Sequence, residues 1–435
     1  MVRESIGKYR WTICSLIFFA TTINYLDRAV ISLLKKDLTT EFNWSETDYG
    51  NIVIAFQLSY AIGLLGAGRL IDKLGTKIGY ALSTFLWSIA AISHALVKST
   101  FGFGAARAGL GLTEAGNFPA AIKAVAEWFP QKERAFATGI FNSGTNIGAI
   151  IAPLTVPWIA LHWGWQSAFI ITGSIGFIWL IFWFLFYEIP SKQKKLSKPE
   201  YDYIHSERDE IIYQEKNNDE IQKLSWWKLF QFKQTWAFAL GKFLTDPVWW
   251  FYLFWLPDFL YKEFHLENTA LGLPVALVYT MSSLGSIFGG WLPMKFIKNN
   301  MSVFKARRTS MFIYALCVLP VVFAQYLGSI NMWLAVIIIG IAASAHQAWS
   351  ANIYTTVSDS FPKKAVASVI GIGGMFGALG GIFVSELAPK LFEYYKALGH
   401  AQTGYYIMFI ICGFAYIGAW MLMKLLVPKE KILAI

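Results

Sequence analysis

Charged side chains lie inside a few apolar stretches of this sequence, and those of two stretches are best suited to chemistry. Asp27 and Arg28 follow Asn24 in the first stretch, where their spacing places all three on one helical face. Arg107 and Glu114 lie seven residues apart in a later stretch, which is two helical turns or about 10.5 Å along one face. A carboxylic acid can bind and release a proton, and an arginine can hold a carboxylate through two parallel hydrogen bonds.

The four charges have two interpretations. They form either a structural ion cluster that ties two helices together or the wall of a cavity that holds an anion. In a cavity, protonation of Asp27 and Glu114 leaves Arg28 and Arg107 uncompensated, so an incoming carboxylate finds a partner. Burial disfavours the charged form of an acid and a neighbouring arginine favours it, which couples proton binding to anion binding. Protons are the expected coupling ion, although adjacent acids can also bind sodium.

A polar face on a further apolar stretch consists of Asn142, Thr145 and Asn146. It either contacts a bound solute or forms hydrogen bonds between helices, which are worth about 0.6 kcal/mol each in membranes. Other polar and aromatic residues interrupt the stretches around 244–257 and 344–352. They are Lys242, Asp246, Trp249, Trp250, Tyr252, His346, Gln347, Trp349 and Asn352.

Trp249, Tyr252 and Gln347 are the candidates for substrate contact in this second group. Aromatic residues also form belts that face lipid, and that is the alternative for the two rings. Lys242 and Asp246 lie four residues apart and can simply neutralise each other. We interpret His346 as an interior histidine whose hydrogen bonds are satisfied, rather than as a proton carrier.

The elements that must position these residues follow from composition. The chain has 435 residues, of which 56% are hydrophobic and 15% are charged, whereas a soluble domain is about 25% charged. Apolar runs long enough to cross a bilayer, about 20 residues each, recur throughout. Such runs must be helical, because backbone amides in lipid need partners within their own segment. The runs lie near 10–33, 50–71, 78–97, 101–127, 135–158, 166–188, 234–260, 271–293, 309–326, 331–357, 365–388 and 403–426.

Basic residues predict the orientation of these spans. Most of the 37 Lys and Arg residues fall in alternate loops and at the two chain ends, which predicts that both termini and the polar stretch 189–233 are cytoplasmic. The first run is too long for a signal-peptide core, so we expect it to be retained. Cys14, Cys317 and Cys412 lie within spans and have neither disulfide nor metal-ligand spacing.

A repeat divides the chain into halves. FPQKERAFATGIFNSGTNIG at 129–148 aligns with FPKKAVASVIGIGGMFGALG at 361–380, an offset that keeps Ala135 with Ala367 and Gly139 with Gly371. Parallel repeats about an axis along the membrane normal are typical of transporters. We therefore predict a helix bundle over 1–188, a cytoplasmic linker over 189–233 and a second bundle over 234–435.

The loop after the second run contains Gly68, Asp72, Gly75 and Lys77 in the pattern G-x-x-x-D-x-x-G-x-[RK]. Glycines permit a tight turn and close helix approach, and the aspartate can cap a helix or pair with a basic residue. With twelve runs and a central loop, the chain resembles the major facilitator superfamily. That implies an all-α membrane fold with twelve transmembrane helices in two pseudo-symmetric six-helix bundles. The second half has Gly289 and Gly290 but no matching aspartate, so we expect an asymmetric gate.

A narrower resemblance rests on NYLDR at 24–28, the span-four arginine and glutamate, EWFPQKERA, FNSGTNIGAIIAP, FLTDPVWWFYLFWLP and SAHQAWSAN. These strings are similar to those of anion:cation symporters, with bacterial hexuronate carriers nearest. The resemblance implies that Asp27 and Glu114 couple protons and that Arg28 contacts the substrate carboxylate. It assigns Arg107 to an acid or the substrate, and Tyr25 to a hydrogen bond with the solute. Some family members carry polar residues where this chain has Gly377, Gly380 and Gly381.

Enzyme motifs are missing from the sequence: it has no phosphate-binding loop, metal-ligand spacing or nucleophile elbow. We therefore expect no enzyme activity, no cofactor, no metal, no nucleic-acid partner and no use of ATP. The prediction is a monomeric, multi-pass protein of a bacterial inner membrane that imports a hexuronate-like anion with protons by alternating access. The alternative is an exchanger or uniporter for aldonates, aldarates or other carboxylates without proton coupling. A membrane receptor is a third hypothesis, but the central loop is too short for a signalling domain.

Overall fold

Helices account for the regular structure of the computed structural model, which describes residues 6–206, 226–266 and 272–429. Within these ranges there is no β-strand. The first group of helices is α1 Tyr9–Leu33, α2 Lys35–Phe42, α3 Glu46–Leu74, α4 Thr76–Ser93, α5 Thr100–Glu114, α6 Asn117–Trp128, α7 Gln131–Trp163, α8 Trp165–Phe186 and α9 Lys198–Ile204. The second group is α10 Lys233–Phe264, α11 Gly272–Lys298, α12 Val303–Val318, α13 Ala324–Ile330, α14 Met332–Ser360, α15 Val366–Ala397 and α16 Ala401–Leu426.

Ten helical segments in the described ranges are long and apolar enough to cross a membrane. The other two predicted runs are helical but differ in character. The fourth run is broken at residues 115–116 into α5 and α6, which have 15 and 12 residues. The seventh run is α10, which carries Lys242 and Asp246 together with many Trp and Tyr rings. The all-helical membrane fold is confirmed, and each of these two runs carries charged residues of the site.

Short polar residues begin several of these helices. The Ser45 hydroxyl accepts a hydrogen bond from the backbone N–H of Asp48, and the Asp48 carboxylate accepts one from the Ser45 N–H, so a capping box starts α3. Ser99, Ser302 and Asn331 cap α5, α12 and α14. The turn between α3 and α4 requires φ of +79° at Gly75, a conformation in which L side chains are strained.

Packing follows the two halves of the sequence. Among the first nine helices, α1 packs on α7, α3 on α5 and α4 on α8. Among the later ones, α11 packs on α14, and α10 on α15 and α16. The most extensive contacts between the groups are those of α7 with α11 and of α3 with α15, and α6 and α7 also contact α14. These crossing pairs bring the early and late helices together around the site.

Glycines allow the crossing helices to touch backbone to backbone. A Cβ added at Gly68 of α3 would lie 2.3 Å from the carbonyl oxygen of Ala367. A Cβ added at Gly290 of α11 would lie 2.2 Å from the carbonyl oxygen of Ala135. Because no Cβ fits at either distance, both positions require glycine.

Two more glycines make the same kind of contact. A Cβ at Gly139 would lie 2.2 Å from the Ser286 carbonyl oxygen, and one at Gly371 would lie 2.2 Å from that of Leu64. Gly139 and Gly371 are matched by the sequence repeat, as are the Ala135 and Ala367 contacts of the previous pair. The four contacts, called here the glycine seal, are therefore related by the repeat.

Both described chain ends lie at one end of the molecule, called here the terminal face. A series of side-chain contacts connects them: Arg10 to Glu133, Arg134 and Arg307 to Asp359, and Arg308 to the Val427 carbonyl oxygen. Part of the predicted linker also lies here. The α9 residue Glu200 is buried and accepts hydrogen bonds from the backbone N–H groups of Tyr9 and Arg10, both at 3.0 Å. The linker residues 207–225 lie outside the described ranges.

Candidate functional site

A cavity of about 850 Å³ lies between the early and the late helices. Its walls come from α1, α3, α5, α6 and α7 on one side and from α10, α11, α14 and α15 on the other. It extends to Ser32, Tyr49 and Glu386, which lie on the parts of their helices remote from the terminal face. The cavity therefore opens away from the terminal face.

The cavity is closed towards the terminal face by contacts between the two walls. The Asn142 side-chain amide donates to the Gln347 side-chain oxygen at 2.7 Å and to the Ser286 hydroxyl at 3.1 Å. The rings of Phe118 and Tyr354 stack across the same boundary, with centroids 5.3 Å apart. Beyond this floor lies the glycine seal.

The first wall carries an ion pair between α1 and α5. The Arg28 Nε and Nη2 atoms each lie 3.1 Å from Glu114 Oε2. Glu114 is fully buried, whereas the Arg28 side chain keeps 17% of its surface exposed and lines the cavity. Arg28 Nη2 also donates to the Asn24 side-chain oxygen at 3.4 Å. The buried glutamate thus holds the arginine from behind, and the guanidinium faces open space.

Aromatic rings surround the same guanidinium. The Arg28 Cζ atom lies 4.7 Å from the ring centres of both Tyr25 and Tyr60 and 5.1 Å from that of Phe56. Arg107 Cζ lies 4.9 Å from the Phe56 ring centre, so this ring contacts two cations. Each such cation–π contact is worth about 0.5–2 kcal/mol, more where water is excluded. The rings fix the arginines without neutralising them.

Arg107 and Asp27 complete the charged group. Arg107 Nη2 donates to the backbone carbonyl oxygen of Arg28 at 3.0 Å, which joins α5 to α1. Within the described ranges, its Nε and Nη1 atoms have no hydrogen-bond partner. Both carboxyl oxygens of Asp27 are likewise buried without a partner among those residues. A buried polar group in this condition is unusual and points to a functional role.

A second ion pair lies on the opposite wall. Lys242 Nζ is 2.7 Å from Asp246 Oδ2 and 2.9 Å from the Tyr354 hydroxyl. Nearby, the rings of His346 and Trp249 are stacked with centroids 5.2 Å apart. His346 Nδ1 also forms a hydrogen bond with the Tyr416 hydroxyl, which is the arrangement predicted for a satisfied interior histidine.

Most of the predicted substrate residues line this cavity. They are Tyr25, Arg28, Arg107, Asn142, Thr145, Trp249 and Gln347. Asn146 and Tyr252 do not line it, and both are buried. The cavity side of α7 is the stripe formed by Asn142, Thr145 and Ala149, and Asn146 lies off that stripe. The predicted proton-coupling residues Asp27 and Glu114 lie behind the wall rather than on it.

Several residues that form the cavity walls were not predicted from the sequence. Phe56 and Tyr60 contact the arginines, and Tyr354 contacts Lys242. The four-residue spacing of Phe56 and Tyr60 was visible, but the same pattern is common on helices that face lipid or the core. Lys242 and Asp246 form the ion pair that their spacing predicts. The position of this pair on the cavity wall was not predicted.

The predicted gating residues meet at the terminal face. Asp72 Oδ1 lies 2.8 Å from Lys123 Nζ, and its Oδ2 accepts hydrogen bonds from the Ser368 N–H at 2.7 Å and hydroxyl at 2.6 Å. Ser368 lies in the first turn of α15, so Asp72 both pairs with a base and caps a helix of the other half. In the second half Met294 follows Gly290 by four residues, as Asp72 follows Gly68, so no aspartate occupies the corresponding position there.

Other members of the motif hold the turn itself. Lys77 Nζ lies 2.8 Å from Glu188 Oε2, and this hydrogen bond holds the pKa of the Glu188 carboxyl below its usual value. An ion pair crosses between the halves where Arg134 Nη1 lies 3.2 Å from Asp359 Oδ1. Arg307, from the same half as Asp359, lies 3.1 Å from Asp359 Oδ2 through its Nε atom. In the described ranges no group of three or more His, Cys, Asp or Glu residues is placed to hold a metal ion.

Comparisons with known proteins agree on one family. The sequence profile of the Major Facilitator Superfamily matches residues 17–385. The chain is 34% identical to a hexuronate transporter of Escherichia coli (strain K12) over 376 residues, which is 86% of this chain and 85% of the relative. It is 36% identical to a galacturonate transporter of Dickeya chrysanthemi over 289 residues, 66% of this chain and 83% of the relative. A proton:xylose symporter of solved structure has a similar fold, with a TM-score of 0.78 at 15% identity and 98% coverage of both chains.

Proposed function

This chain belongs to the Major Facilitator Superfamily, and from that premise we propose that it imports a hexuronate-like sugar-acid anion together with protons. The family and the relatives make it a multi-pass membrane transporter and not an enzyme. The observation that carries the proposal is the Arg28–Glu114 pair, in which a cavity-facing arginine is held by a fully buried carboxylate. The named substrates of the relatives supply the sugar-acid class.

Arg28 binds the substrate carboxylate in this proposal. Its guanidinium is already oriented by Glu114 and by three aromatic rings, so little ordering entropy is lost on binding. Arg107 adds a second positive charge on the same wall. Tyr25, Asn142, Thr145, Trp249 and Gln347 line the space that the sugar ring and its hydroxyls would occupy. Asn146 and Tyr252 remain predictions outside that lining.

Glu114 and Asp27 couple protons to this step. Glu114 and the substrate carboxylate compete for one guanidinium, so protonation of Glu114 releases Arg28 for the substrate. Asp27 is buried without a partner among the described residues, an environment that is much more costly for a carboxylate than for a neutral acid. Substrate release into the cell would return Arg28 to Glu114 and expel the protons.

Alternating access requires that residues 1–188 and 234–435 move against each other about the linker at 189–233. With both termini cytoplasmic, as the basic loops predict, the cavity described here opens to the outside. The inner barrier is then the glycine seal, the latch of Asp72 with Ser368, and the Asp359 pairs. Opening inwards would break these contacts and form others on the outer side.

Purified protein in liposomes tests the coupling directly. An inwardly directed proton gradient, imposed by acid outside, should drive accumulation of glucuronate or galacturonate in vesicles of verified orientation. Asp27→Asn and Glu114→Gln should abolish gradient-driven uptake and retain substrate counterflow. Asp258→Asn is the matched control, because Asp258 pairs with Lys262 away from the cavity lining. If wild-type uptake does not depend on the proton gradient, the protein would instead be an exchanger or uniporter. If uptake depends on a sodium gradient alone, sodium and not the proton would be the coupling ion.

A further inference from the structure

The two walls of the cavity differ in charge. Arg28 and Arg107 both lie on the first wall. The charged residues that the second wall contributes to the described lining are Lys242, Asp246 and Glu386. Glu386 lies near the mouth and pairs with Lys390 at 3.2 Å on an exposed surface. Positive charge is therefore concentrated on one side of the site.

Lys242 is withdrawn from the cavity and neutralised where it stands. Its ammonium contacts Asp246 at 2.7 Å and the Tyr354 hydroxyl at 2.9 Å, and it lies 4.2 Å from the centre of the Tyr354 ring. The Lys242 side chain is 4% exposed, whereas that of Asp246 is 18% exposed. Asp246 is thus the member of the pair that is more exposed to the cavity.

A glycine makes room for this arrangement. A Cβ added at Gly377 of α15 would lie 2.1 Å from Asp246 Oδ2, the same oxygen that contacts Lys242. The absence of a side chain at this position is therefore what lets the carboxylate sit beside the ammonium. The space that Gly377 leaves by having no side chain is occupied by the Asp246 carboxylate.

From this geometry we propose that the Lys242–Asp246 pair restricts the site to sugar acids with one carboxylate. The inference rests on the proposed function, in which the first wall binds that carboxylate. The far end of a hexuronate carries hydroxyls. The Asp246 carboxylate and the Tyr354 hydroxyl can form hydrogen bonds with these hydroxyls without bringing two like charges together. The far end of an aldarate carries a second carboxylate, which would meet Asp246 and find no uncompensated cation.

Competition on the wild-type protein tests the proposal without any substitution. Galacturonate and galactarate share carbon number and hydroxyl configuration. Galactarate carries a second carboxylate where galacturonate has its anomeric carbon, and it is therefore open-chain. Galacturonate should bind at least about tenfold more tightly in an assay of purified transporter, because juxtaposed like charges cost more than 1.4 kcal/mol. Equal affinities would overturn the inference and leave the proposed function intact. Binding of neither acid would overturn both.

Two variants then assign the selectivity to the pair. Asp246→Asn leaves Lys242 uncompensated, so the ratio of galactarate to galacturonate affinity should rise at least about tenfold. The double variant Lys242→Met/Asp246→Asn removes both charges, and with them the repulsion from Asp246, so its preference for galacturonate should fall below that of the wild type. An unchanged ratio in a correctly folded Asp246→Asn protein would contradict the role of the pair. If that variant does not fold, the wild-type ratio and the double variant still decide.

Discussion

Arg28 is fixed before any anion reaches it, because Glu114 holds one edge of its guanidinium and rings cover its faces. We expect Arg28→Lys to weaken sugar-acid binding at least about tenfold, since an ammonium keeps the charge and loses the planar two-bond contact. Isothermal titration of the purified protein measures this loss directly.

The matched control for this substitution is Arg308→Lys. Arg308 donates to the Val427 carbonyl oxygen at the terminal face, remote from the cavity, so its replacement should leave the affinity unchanged. If Arg28→Lys bound substrate as tightly as the wild type, the carboxylate would have to contact another residue, with Arg107 the next candidate.

Individual residues were predictable where chemistry made them conspicuous. Four charges inside apolar runs stand out by type alone, and the structure brings Arg28 and Glu114 into contact. Phe56 and Tyr60 were not predictable, because aromatic rings are common on every side of a membrane helix. Asn142 and Asn146 could not be distinguished either. Their difference depends on the rotation of α7 about its axis, which only packing against the other helices determines.

At the scale of helices, the glycine seal makes a sharp prediction. Gly68→Ala should destabilise the closed terminal face, because the new Cβ would lie 2.3 Å from the Ala367 carbonyl oxygen. Gly66→Ala is its control two residues earlier on α3, where nothing lies within 4 Å. Spin labels at the exposed positions Lys73 and Lys364 report the distance across this face. The distribution should shift to longer distances in Gly68→Ala and stay unchanged in Gly66→Ala.

A shift in both alanine variants would mean that helix propensity, not contact, sets the distance. No shift in either would show that the terminal face closes without the backbone contacts.

Helices as such were well predicted, because twenty-residue apolar runs leave the backbone no alternative in lipid. The break between α5 and α6 was not predicted, and Pro119 lies just after it in the first turn of α6. The short α2 and α9 were not predicted in place. Each is amphipathic or polar, and α9 depends on contacts from Glu200 to the start of α1 that are remote in sequence.

For the whole molecule, orientation is the property to test. We expect the terminal face to be cytoplasmic, which single cysteines at Lys98 and Lys364 can decide in a Cys317→Ser background. Cys14 and Cys412 are buried and should stay silent. An impermeant maleimide should label Lys98→Cys in intact cells and Lys364→Cys only after lysis. The reverse labelling pattern would show that the cavity opens to the cytoplasm, and the proposed order of steps in the import cycle would then be wrong.

The paired contacts of the glycine seal follow the repeat, since duplicated sequence implies duplicated contacts. The division into two bundles joined by the linker at 189–233 stays a prediction. The side on which the cavity opens was not predictable from the sequence. A carrier must populate two arrangements of the same helices, and the sequence encodes both. Which one a structure displays depends on a small free-energy difference between many broken and formed contacts, such as those of Asp72 and Asp359.

Substitutions in the glycine seal can also be used to control the equilibrium between the two arrangements of the helices. Its contacts involve no side-chain rotamers, so the balance between the two arrangements can be adjusted by adding atoms one at a time. A series at Gly290 from alanine through serine to valine would raise the energy of one state in steps and leave the cavity walls untouched. Each member would hold a different fraction of molecules in the opposite state, ready for structure determination or for selecting binders that recognise only that state.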